Sequence, residues 1–237
     1  MTTPIIIIPA RMDSTRLPGK PLADIHGKPM ILWVMERALA ANIAPVYIAC
    51  AEEEIASAVR NAGGEAVLTD PAHPSGTDRI YEALQKIDPA RKFDRIINVQ
   101  GDLPMLDPHL PTLALKLLDN PSIDISTLAA PIRSEEERHN PNVVKAVITI
   151  NNRAIYFSRS PVPYGKGPCY HHIGLYAYTR TALEKFVALP ASPLEKIEKL
   201  EQLRALEYGM QIAIDIVDKV PLGVDTAEDL EFVRKHM

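Results

Sequence analysis

The chain has 237 residues, of which 46% are hydrophobic and 24% are charged, a composition that is typical of folded globular proteins and excludes general disorder. Twenty-six basic and 30 acidic residues leave a net charge of −4, which argues against a nucleic-acid partner because sequence-independent binding needs a basic surface. No apolar run approaches the roughly 20 residues of a membrane helix, the N-terminus lacks a secretory pattern, and Cys50 and Cys169 fit no metal or disulfide framework, so we expect a cytoplasmic protein without membrane insertion.

The first half of the chain alternates short apolar runs with amphipathic stretches. Ile5–Ile8 end at Pro9 and are typical of a strand that is buried on both faces of a parallel sheet. The same patterns predict further strands at 46–50, 96–99 and 123–128, and helices at 29–41, 52–62, 77–87 and 108–118. This alternation predicts an α/β fold with a mostly parallel sheet.

The pattern changes from about Pro131 onward. Two β-rich runs, 143–150 and 154–157, flank Asn151-Asn152 and predict a hairpin. Beyond the hairpin we predict strands at 173–178 and 211–216, and helices at 181–188, at 193–208 and from residue 227. Because no linker separates the halves, we predict a single domain over 1–237 whose second half adds strands and a lid or an interface.

Three cations stand in the loop that directly follows the first strand: Arg11, Arg16 and Lys20. A polyphosphate needs such a convergence of fixed charge, forked donors and free backbone amides, to which Ser14 and Thr15 add hydroxyls. The loop has neither the GxxxxGK[ST] pattern nor the GxGxxG pattern of the common nucleotide-binding motifs. The alternative interpretation is an exposed basic loop.

Asp102 follows the predicted strand at 96–99, after Gln100 and Gly101. Ligands of doubly wound sheets bind where the carboxyl ends of strands meet the following loops. A carboxylate at this position can hold Mg²⁺ beside a nucleotide. The alternative is a turn aspartate favoured by the neighbouring glycine.

The segment 73–79 leads into a helix, so its early amides and Ser75 are candidates for nucleotide contacts. The alternative is that Ser75 or Thr77 only caps that helix. A similar choice arises at the C-terminal helix. If Thr226 caps it with Asp229, Asp225 is left over; otherwise Asp225 is itself the cap.

The segment PAR–x–x–STRLPGKPL at 9–22 closely resembles the signature of the 3-deoxy-manno-octulosonate cytidylyltransferases, also called CMP-Kdo synthetases, bacterial enzymes of lipopolysaccharide synthesis. The resemblance continues in order along nearly the whole chain. Its further blocks are HPSGTDR (73–79), NVQGDLPM (98–105), NPNVVK (140–145), YFSRSPVP (156–163), HHIGLYAY (171–178), SPLEKIEKLEQLR (192–204) and GVDTAEDLEFVR (223–234). The sialic-acid cytidylyltransferases share the PAR-type loop but not its continuation.

This resemblance implies a Rossmann-like nucleotidyltransferase fold with an added smaller sheet and dimerisation region. It implies transfer of CMP from CTP to 3-deoxy-D-manno-octulosonate (Kdo), release of pyrophosphate, Mg²⁺ as cofactor, and a cytoplasmic homodimer. Residues 1–130 would mainly bind CTP, and residues 131–237 would mainly bind sugar and dimerise. The alternatives are another sugar acid, such as sialic acid or 8-amino-Kdo, and a non-catalytic regulatory module that binds a nucleotide. Retention of both carboxylates and all three loop cations argues against the module.

The resemblance also assigns residues. The catalytic set is Arg11, Arg16, Lys20, Asp102 and Asp225, of which Asp102 and Asp225 would bind the metal. CTP would be bound by Pro9, Ala10, Arg11, Ser14, Arg16, Lys20, His73, Ser75, Gly76, Arg79, Gln100, Gly101 and Asp102. Asp13 departs from the family, where alanine is common, and we expect its side chain to point away from the triphosphate.

The sugar-binding residues implied by the resemblance are Arg159, His172, Glu195, Glu198 and Gln202. Arg159 offers two parallel donors to the carboxylate of a sugar acid. His172 would donate or accept hydrogen bonds at sugar hydroxyls, although a lone strand histidine is more often structural. The three helix residues share a polar face of the predicted helix 193–208, opposite an apolar stripe at 194, 197, 200 and 203. Glu195 has the alternative role of completing a capping box with Ser192.

Overall fold

The computed structural model describes residues 2–237, and strands alternate with helices along the chain. In chain order the elements are β1 (Pro4–Ala10), a 3₁₀ turn (Lys20–Leu22), β2 (Asp24–Ile25), β3 (Lys28–Pro29), α1 (Met30–Ala40), β4 (Val46–Cys50), α2 (Glu53–Asn61), β5 (Glu65–Leu68), α3 (Gly76–Ile87), β6 (Arg95–Asn98), α4 (His109–Leu117), β7 (Ile125–Pro131), α5 (Glu135–His139), β8 (Lys145–Ile148), β9 (Ala154–Ser158), β10 (Tyr170–Thr179), α6 (Arg180–Ala188), α7 (Pro193–Glu198), α8 (Gln202–Glu207), β11 (Ile212–Ile216) and α9 (Ala227–His236). None of the helices in the part of the chain that the structure describes is long and apolar enough to cross a membrane.

The described residues form two compact units. The first comprises 2–112 and 221–237, and the second comprises 113–220. The C-terminal segment thus belongs with the first unit, although it is remote in sequence. We predicted a single domain over 1–237, with CTP binding mainly in 1–130 and sugar binding and dimerisation mainly in 131–237. This division of functions stays a prediction.

The first unit contains a parallel sheet in the order β6-β1-β4-β5. Ile5–Ile8 of β1 are fully buried, which confirms the prediction of a strand covered on both faces. The sequence prediction missed β5. Its residues Glu65–Leu68 are exposed or half-buried, so they show no buried apolar run.

Parallel strands direct their carboxyl ends to one edge of the sheet, and there the loop after β1 meets the turn after β6. A Cβ atom at Gly101 would lie 2.7 Å from the carbonyl oxygen of Pro9, so only glycine permits this approach of the two backbones. The turn therefore brings Asp102 next to the cationic loop, because the two segments are in van der Waals contact.

A short hairpin holds the C-terminal segment on the first unit. Strands β2 and β3 are joined by His26 and Gly27, both with positive φ, as a two-residue hairpin turn requires. Arg234 of α9 donates two hydrogen bonds to the carbonyl oxygen of Asp24, at 2.6 and 2.9 Å. A small apolar core lies beneath these bonds and consists of Ile25, Met30, Val224, Leu230 and Val233.

The second unit is mostly antiparallel, in the order β11-β7-β10-β8-β9, with only β11 and β7 parallel. The predicted hairpin is confirmed: β8 and β9 pair from Lys145 with Ser158, and Asn152 in the turn has a φ of 57°. Asparagine tolerates this left-handed conformation better than most residues.

The predicted single helix over 193–208 is wrong. The chain leaves the helical path at Lys199, which has a φ of 55°, and forms α7 and α8 instead. Leu200 and Leu203, which follow the break, are buried as predicted, but Ile197 before it is 74% exposed. The break is stabilised by Arg204, whose Nε donates to Glu195 at 2.8 Å and thereby joins the two short helices.

Candidate active site

A cavity of about 400 Å³ opens in the first unit at the carboxyl ends of its parallel strands. Every residue predicted to bind CTP lines this cavity except His73, and Asp225 joins them. Thr15, whose hydroxyl the sequence analysis noted, and Pro21, which it did not single out, also line the cavity. Asp13 lines the cavity too, so the expectation that it turns away is not confirmed.

Two carboxylates and two cations interlock within the cavity. The Nζ atom of Lys20 lies 2.9 Å from Oδ2 of Asp102 and 3.2 Å from Oδ1 of Asp225. Arg16 adds an ion pair between Nη2 and the same Oδ1 of Asp225, at 3.0 Å. Burial by itself would lower the pKa of Lys20, but the charges and hydrogen bonds of the two aspartates raise this pKa above its ordinary value. Lys20 is therefore a charged ammonium at any physiological pH.

The capping of α9 decides where Asp225 points. The Oγ1 atom of Thr226 accepts a hydrogen bond from the backbone N–H of Asp229 at 3.2 Å, and Oδ2 of Asp229 accepts from the N–H of Thr226 at 2.9 Å. Thr226 is therefore the cap, and the alternative in which Asp225 caps the helix is wrong. The carboxylate of Asp225 is left to face the cavity cations.

The same segment is tied to the turn that carries Asp102. The N–H of Val224 donates to the carbonyl oxygen of Asp102 at 2.9 Å, so a backbone hydrogen bond holds the residue before Asp225 to Asp102. Among residues 2–237 no group of three or more His, Cys, Asp or Glu side chains could hold a metal ion by itself. Mg²⁺ commonly uses one or two carboxylates together with substrate phosphates and water. The pair of Asp102 and Asp225 fits a magnesium ion that arrives with a nucleotide.

Arg79 is almost fully buried beside the cavity, with 2% of its surface exposed. Its Nη1 donates to Oγ1 of Thr69 at 2.6 Å and to the carbonyl oxygen of Asp70 at 3.2 Å. Its Nη2 is buried and has no hydrogen-bond partner among the described residues. Burial lowers the pKa of Arg79, and the nearby charge of Arg11 lowers it further. An acceptor atom on a ligand would satisfy the unpartnered Nη2, and a negative charge on that ligand would stabilise the buried positive charge of Arg79.

Ser75 serves the helix and the cavity together. Its Oγ accepts a hydrogen bond from the N–H of Asp78 at 3.1 Å, which caps α3 as the alternative interpretation proposed. Gly76 brings the first turn of α3 close to β1, since a Cβ there would lie 3.2 Å from a ring carbon of Pro9. The N-terminus of α3, with its partial positive charge, therefore borders the cavity.

Gln100 is oriented by a residue that the sequence analysis did not single out. Its Nε2 donates to Oδ1 of Asn98 at 3.1 Å, and Asn98 is buried at the end of β6. The bond sets which way the Gln100 amide lies at the cavity wall. The only sequence signal was that Asn98 opens the NVQGDLPM block.

His73 does not line the cavity, and its predicted contact with CTP stays a prediction. Its Nε2 pairs with Oε2 of Glu82, which also accepts from the N–H of Asp70 at 2.8 Å. Burial opposes ionisation of Glu82, but hydrogen bonds from Lys86, Asp70 and His73 overcome it and lower the pKa of Glu82 to about 2. His73 therefore braces the loop before α3.

The five predicted sugar-binding residues belong to the second unit. The guanidinium of Arg159 donates to three backbone carbonyls, those of Glu198 at 3.0 Å, Pro141 at 2.9 Å and Lys199 at 3.5 Å. The ring of His172 is buried 3.0 Å from Oγ1 of Thr127, and burial lowers its pKa to about 3. Both side chains have structural partners within their own unit.

The three predicted helix residues also have local partners or are buried. Oε2 of Glu195 accepts from the N–H of Ser192 at 3.0 Å, which is one half of the capping box that the alternative interpretation proposed, and Glu195 also pairs with Arg204. Glu198 accepts from Oγ of Ser158 at 2.8 Å and from the N–H of Arg159 at 2.9 Å. Gln202 is 8% exposed. Because the chain breaks at Lys199, the three side chains do not share one continuous helical face.

Comparison with known proteins adds independent information. The cytidylyltransferase family model matches residues 5–212. The chain is 59% identical to 3-deoxy-manno-octulosonate cytidylyltransferase of Paramagnetospirillum magneticum, across 98% of this chain and 96% of that protein. It is 61% identical to the protein of the same name from Rhodospirillum rubrum, across 98% and 94% of the two chains.

A solved structure agrees in fold over the full length. It is a CMP:2-keto-3-deoxy-manno-octonic acid synthetase complexed with CTP, and it superimposes with a TM-score of 0.93 at 43% sequence identity. The match covers 100% of this chain and 98% of the other.

Proposed function

The chain belongs to the family of 3-deoxy-manno-octulosonate cytidylyltransferases, and from this premise we propose that it transfers CMP from CTP to Kdo and releases pyrophosphate. The observation that carries the proposal is the interlocked group of Arg16, Lys20, Asp102 and Asp225 in one cavity. Cations suit a triphosphate and paired carboxylates suit a divalent ion, and a nucleotidyl transfer needs both.

The reaction is an in-line displacement at the α-phosphorus of CTP. The anomeric hydroxyl oxygen of Kdo forms a bond to this phosphorus, and the bond from the phosphorus to the bridging oxygen of the β-phosphate breaks. Pyrophosphate leaves with the bonding electrons, and the hydroxyl proton passes to solvent. Arg11, Arg16 and Lys20 bind the phosphates and stabilise the negative charge that develops on the leaving pyrophosphate.

Asp102 and Asp225 are the residues that would hold Mg²⁺. A magnesium ion bound there supplies charge neutralisation at the reacting phosphate and lowers the pKa of the attacking hydroxyl. The chain itself holds the two carboxylates ready, through the Val224–Asp102 hydrogen bond and the cap at Thr226.

Arg79 and Gln100 are placed to bind the rest of the nucleotide. The unpartnered Nη2 of Arg79 is a donor for a carbonyl or phosphate oxygen, and the amide of Gln100 is held by Asn98. The amides at the start of α3 add a positive potential that favours the phosphates. The acceptor would be bound by residues of the second unit, among which Arg159 offers the geometry for a carboxylate once it releases its carbonyl partners.

We also propose that the enzyme acts as a cytoplasmic homodimer in lipopolysaccharide synthesis. Ile150 and Ile197 of the second unit are 99% and 74% exposed and are available for a protein contact. Sedimentation of the purified protein tests the dimer, and a monomer at micromolar concentration would contradict it.

The test of the function is pyrophosphate release from CTP and Mg²⁺ with each of three acceptors: Kdo, 8-amino-Kdo and sialic acid. We expect Kdo to give the highest kcat/KM, and CTP to be preferred over UTP, ATP and GTP. The Asp102→Asn variant is the matched control for contaminating activity. A preference for sialic acid, or no release with any acceptor, would overturn the proposal.

A further inference from the structure

Lys20 pairs with both of the carboxylates that would hold the metal ion. Its ammonium lies 2.9 and 3.2 Å from one oxygen of each carboxylate, and its side chain is only 16% exposed. Arg16 reaches Asp225 as well, but both of those side chains are about half exposed, so solvent screens that pair more strongly. Lys20 is therefore the main counter-charge of the two aspartates in the free protein.

An ammonium and a magnesium ion that bind the same carboxylate oxygens repel each other electrostatically. Mg²⁺ binds carboxylate oxygens at about 2.0–2.1 Å, which would put it within a few ångströms of Nζ. At that distance, in a partly buried site, the repulsion between a single and a double positive charge is large. The ammonium has to move before the metal binds tightly.

The local backbone allows the side chain to move alone. Gly19 adopts a φ of 71°, and the 3₁₀ turn that follows is closed by bonds from the N–H of Leu22 to Gly19 and from the N–H of Ala23 to Lys20. The main chain at Lys20 is thus fixed. The four-carbon stem of lysine ends in a compact point charge that can turn from one anion to another, which the rigid fork of arginine does less readily.

We propose that Lys20 excludes the metal from Asp102 and Asp225 in the free enzyme, and that the triphosphate draws its ammonium away so that nucleotide and metal bind together. The phosphates supply the replacement anion, and they also complete the metal's ligand set. By linkage, the metal then strengthens nucleotide binding by the same factor as the nucleotide strengthens metal binding. This inference rests on the proposed function, because it takes Asp102 and Asp225 as the metal ligands.

The experiment measures Mn²⁺ binding to the protein without nucleotide, from the electron paramagnetic resonance signal of free Mn²⁺. We expect weak binding to the wild type and binding at least about tenfold tighter to Lys20→Met, which removes the charge without adding a ligand. Lys20→Arg keeps the charge and should bind Mn²⁺ as weakly as the wild type. Lys28→Met is the matched control, since Lys28 also pairs with a carboxylate, that of Glu36 at 2.8 Å, but outside the cavity.

A second measurement separates this inference from the proposed metal site. With CTP present, water-proton relaxation reports Mn²⁺ held on the slowly tumbling protein, and Asp102→Asn and Asp225→Asn should abolish that signal. If they do not, the metal site itself is wrong. If they do, but Lys20→Met binds Mn²⁺ no more tightly than Lys28→Met, the inference about Lys20 is overturned and the metal site stands. Thermal unfolding of each variant confirms that it is folded, and Lys20→Gln repeats the test should Lys20→Met fail to fold.

Discussion

The two units differ in how their predicted functional residues are engaged. In the first unit Lys20 pairs with two other residues of the cavity, and Arg79 carries an unpartnered donor. In the second unit Arg159, His172 and Glu195 bond to their own scaffold. The difference teaches that charged groups gathered in one cavity indicate a candidate site by themselves. The predicted sugar-binding residues, by contrast, have structural partners and resemble groups that only stabilise the fold.

The largest expected effect lies in the first unit. Asp102→Asn and Asp225→Asn keep the side-chain shape but remove the charge that we propose to bind Mg²⁺, so we expect kcat/KM to fall by about 10²–10³-fold or more. Because Thr226 is the cap of α9, the melting temperature of Asp225→Asn should stay within a few degrees of the wild type. Normal turnover with a lowered melting temperature would show that Asp225 is structural.

The buried His172 predicts a pH dependence of stability in the second unit. Its pKa falls from an ordinary 6.5 to about 3 on folding, so the unfolded chain binds a proton that the folded chain excludes. The stability that it contributes is present above about pH 6.5 and is lost as the pH falls toward 3. Between pH 7.5 and 5 this amounts to about 2 kcal/mol in the free energy of unfolding.

Denaturant unfolding of His172→Gln at both pH values tests the assignment of His172. Its stability should depend on pH more weakly than that of the wild type, by about the same 2 kcal/mol. An unchanged pH dependence would mean that folding does not lower the pKa of His172. A selective loss of Kdo use, without a change in stability, would instead support the predicted contact with the sugar.

A moderate effect is expected at Arg159. Lysine offers only a point charge in place of two parallel donors, so Arg159→Lys should lower kcat/KM for Kdo by about tenfold and leave CTP affinity unchanged. Calorimetry with CTP and Mg²⁺ in the absence of Kdo gives the nucleotide affinity. If both substrates are used normally and only the melting temperature falls, then Arg159 only stabilises the fold, through its hydrogen bonds to the carbonyls of Pro141 and Glu198.

The smallest expected effect is at Ser75, where capping and cavity lining coincide. Ser75→Ala removes the cap of α3 and should cost about 1 kcal/mol in the free energy of unfolding. Ser134→Ala, at the cap of the short helix α5 in the second unit, is the matched control for a lost cap. If the KM for CTP rises in Ser75→Ala but not in Ser134→Ala, the Ser75 hydroxyl belongs to the nucleotide site. If the two variants have the same KM for CTP, Ser75 only caps the helix.

Local patterns in the sequence were sufficient for most of the elements. Ile5–Ile8, the Asn151-Asn152 turn and the Thr226 box each depend on a few neighbouring residues, and each has the predicted structure. The cationic loop after β1 and Asp102 after β6 could be placed on one sheet edge for the same reason, because parallel strands direct their carboxyl ends to the same side. The fold class and the core of the cavity therefore followed from the chain alone.

Only the tertiary structure decided the features that depend on distant partners. The break at Lys199 is stabilised by the Arg204–Glu195 pair, which forms only when α7 and α8 pack together, and β5 is a strand because it pairs with β4. His73 turns to Glu82, nine residues away, and Asp225 reaches Lys20 only because α9 returns to the hairpin at Asp24. Periodicity and turn chemistry act over a few residues, whereas burial and ion pairing depend on what the rest of the chain brings near.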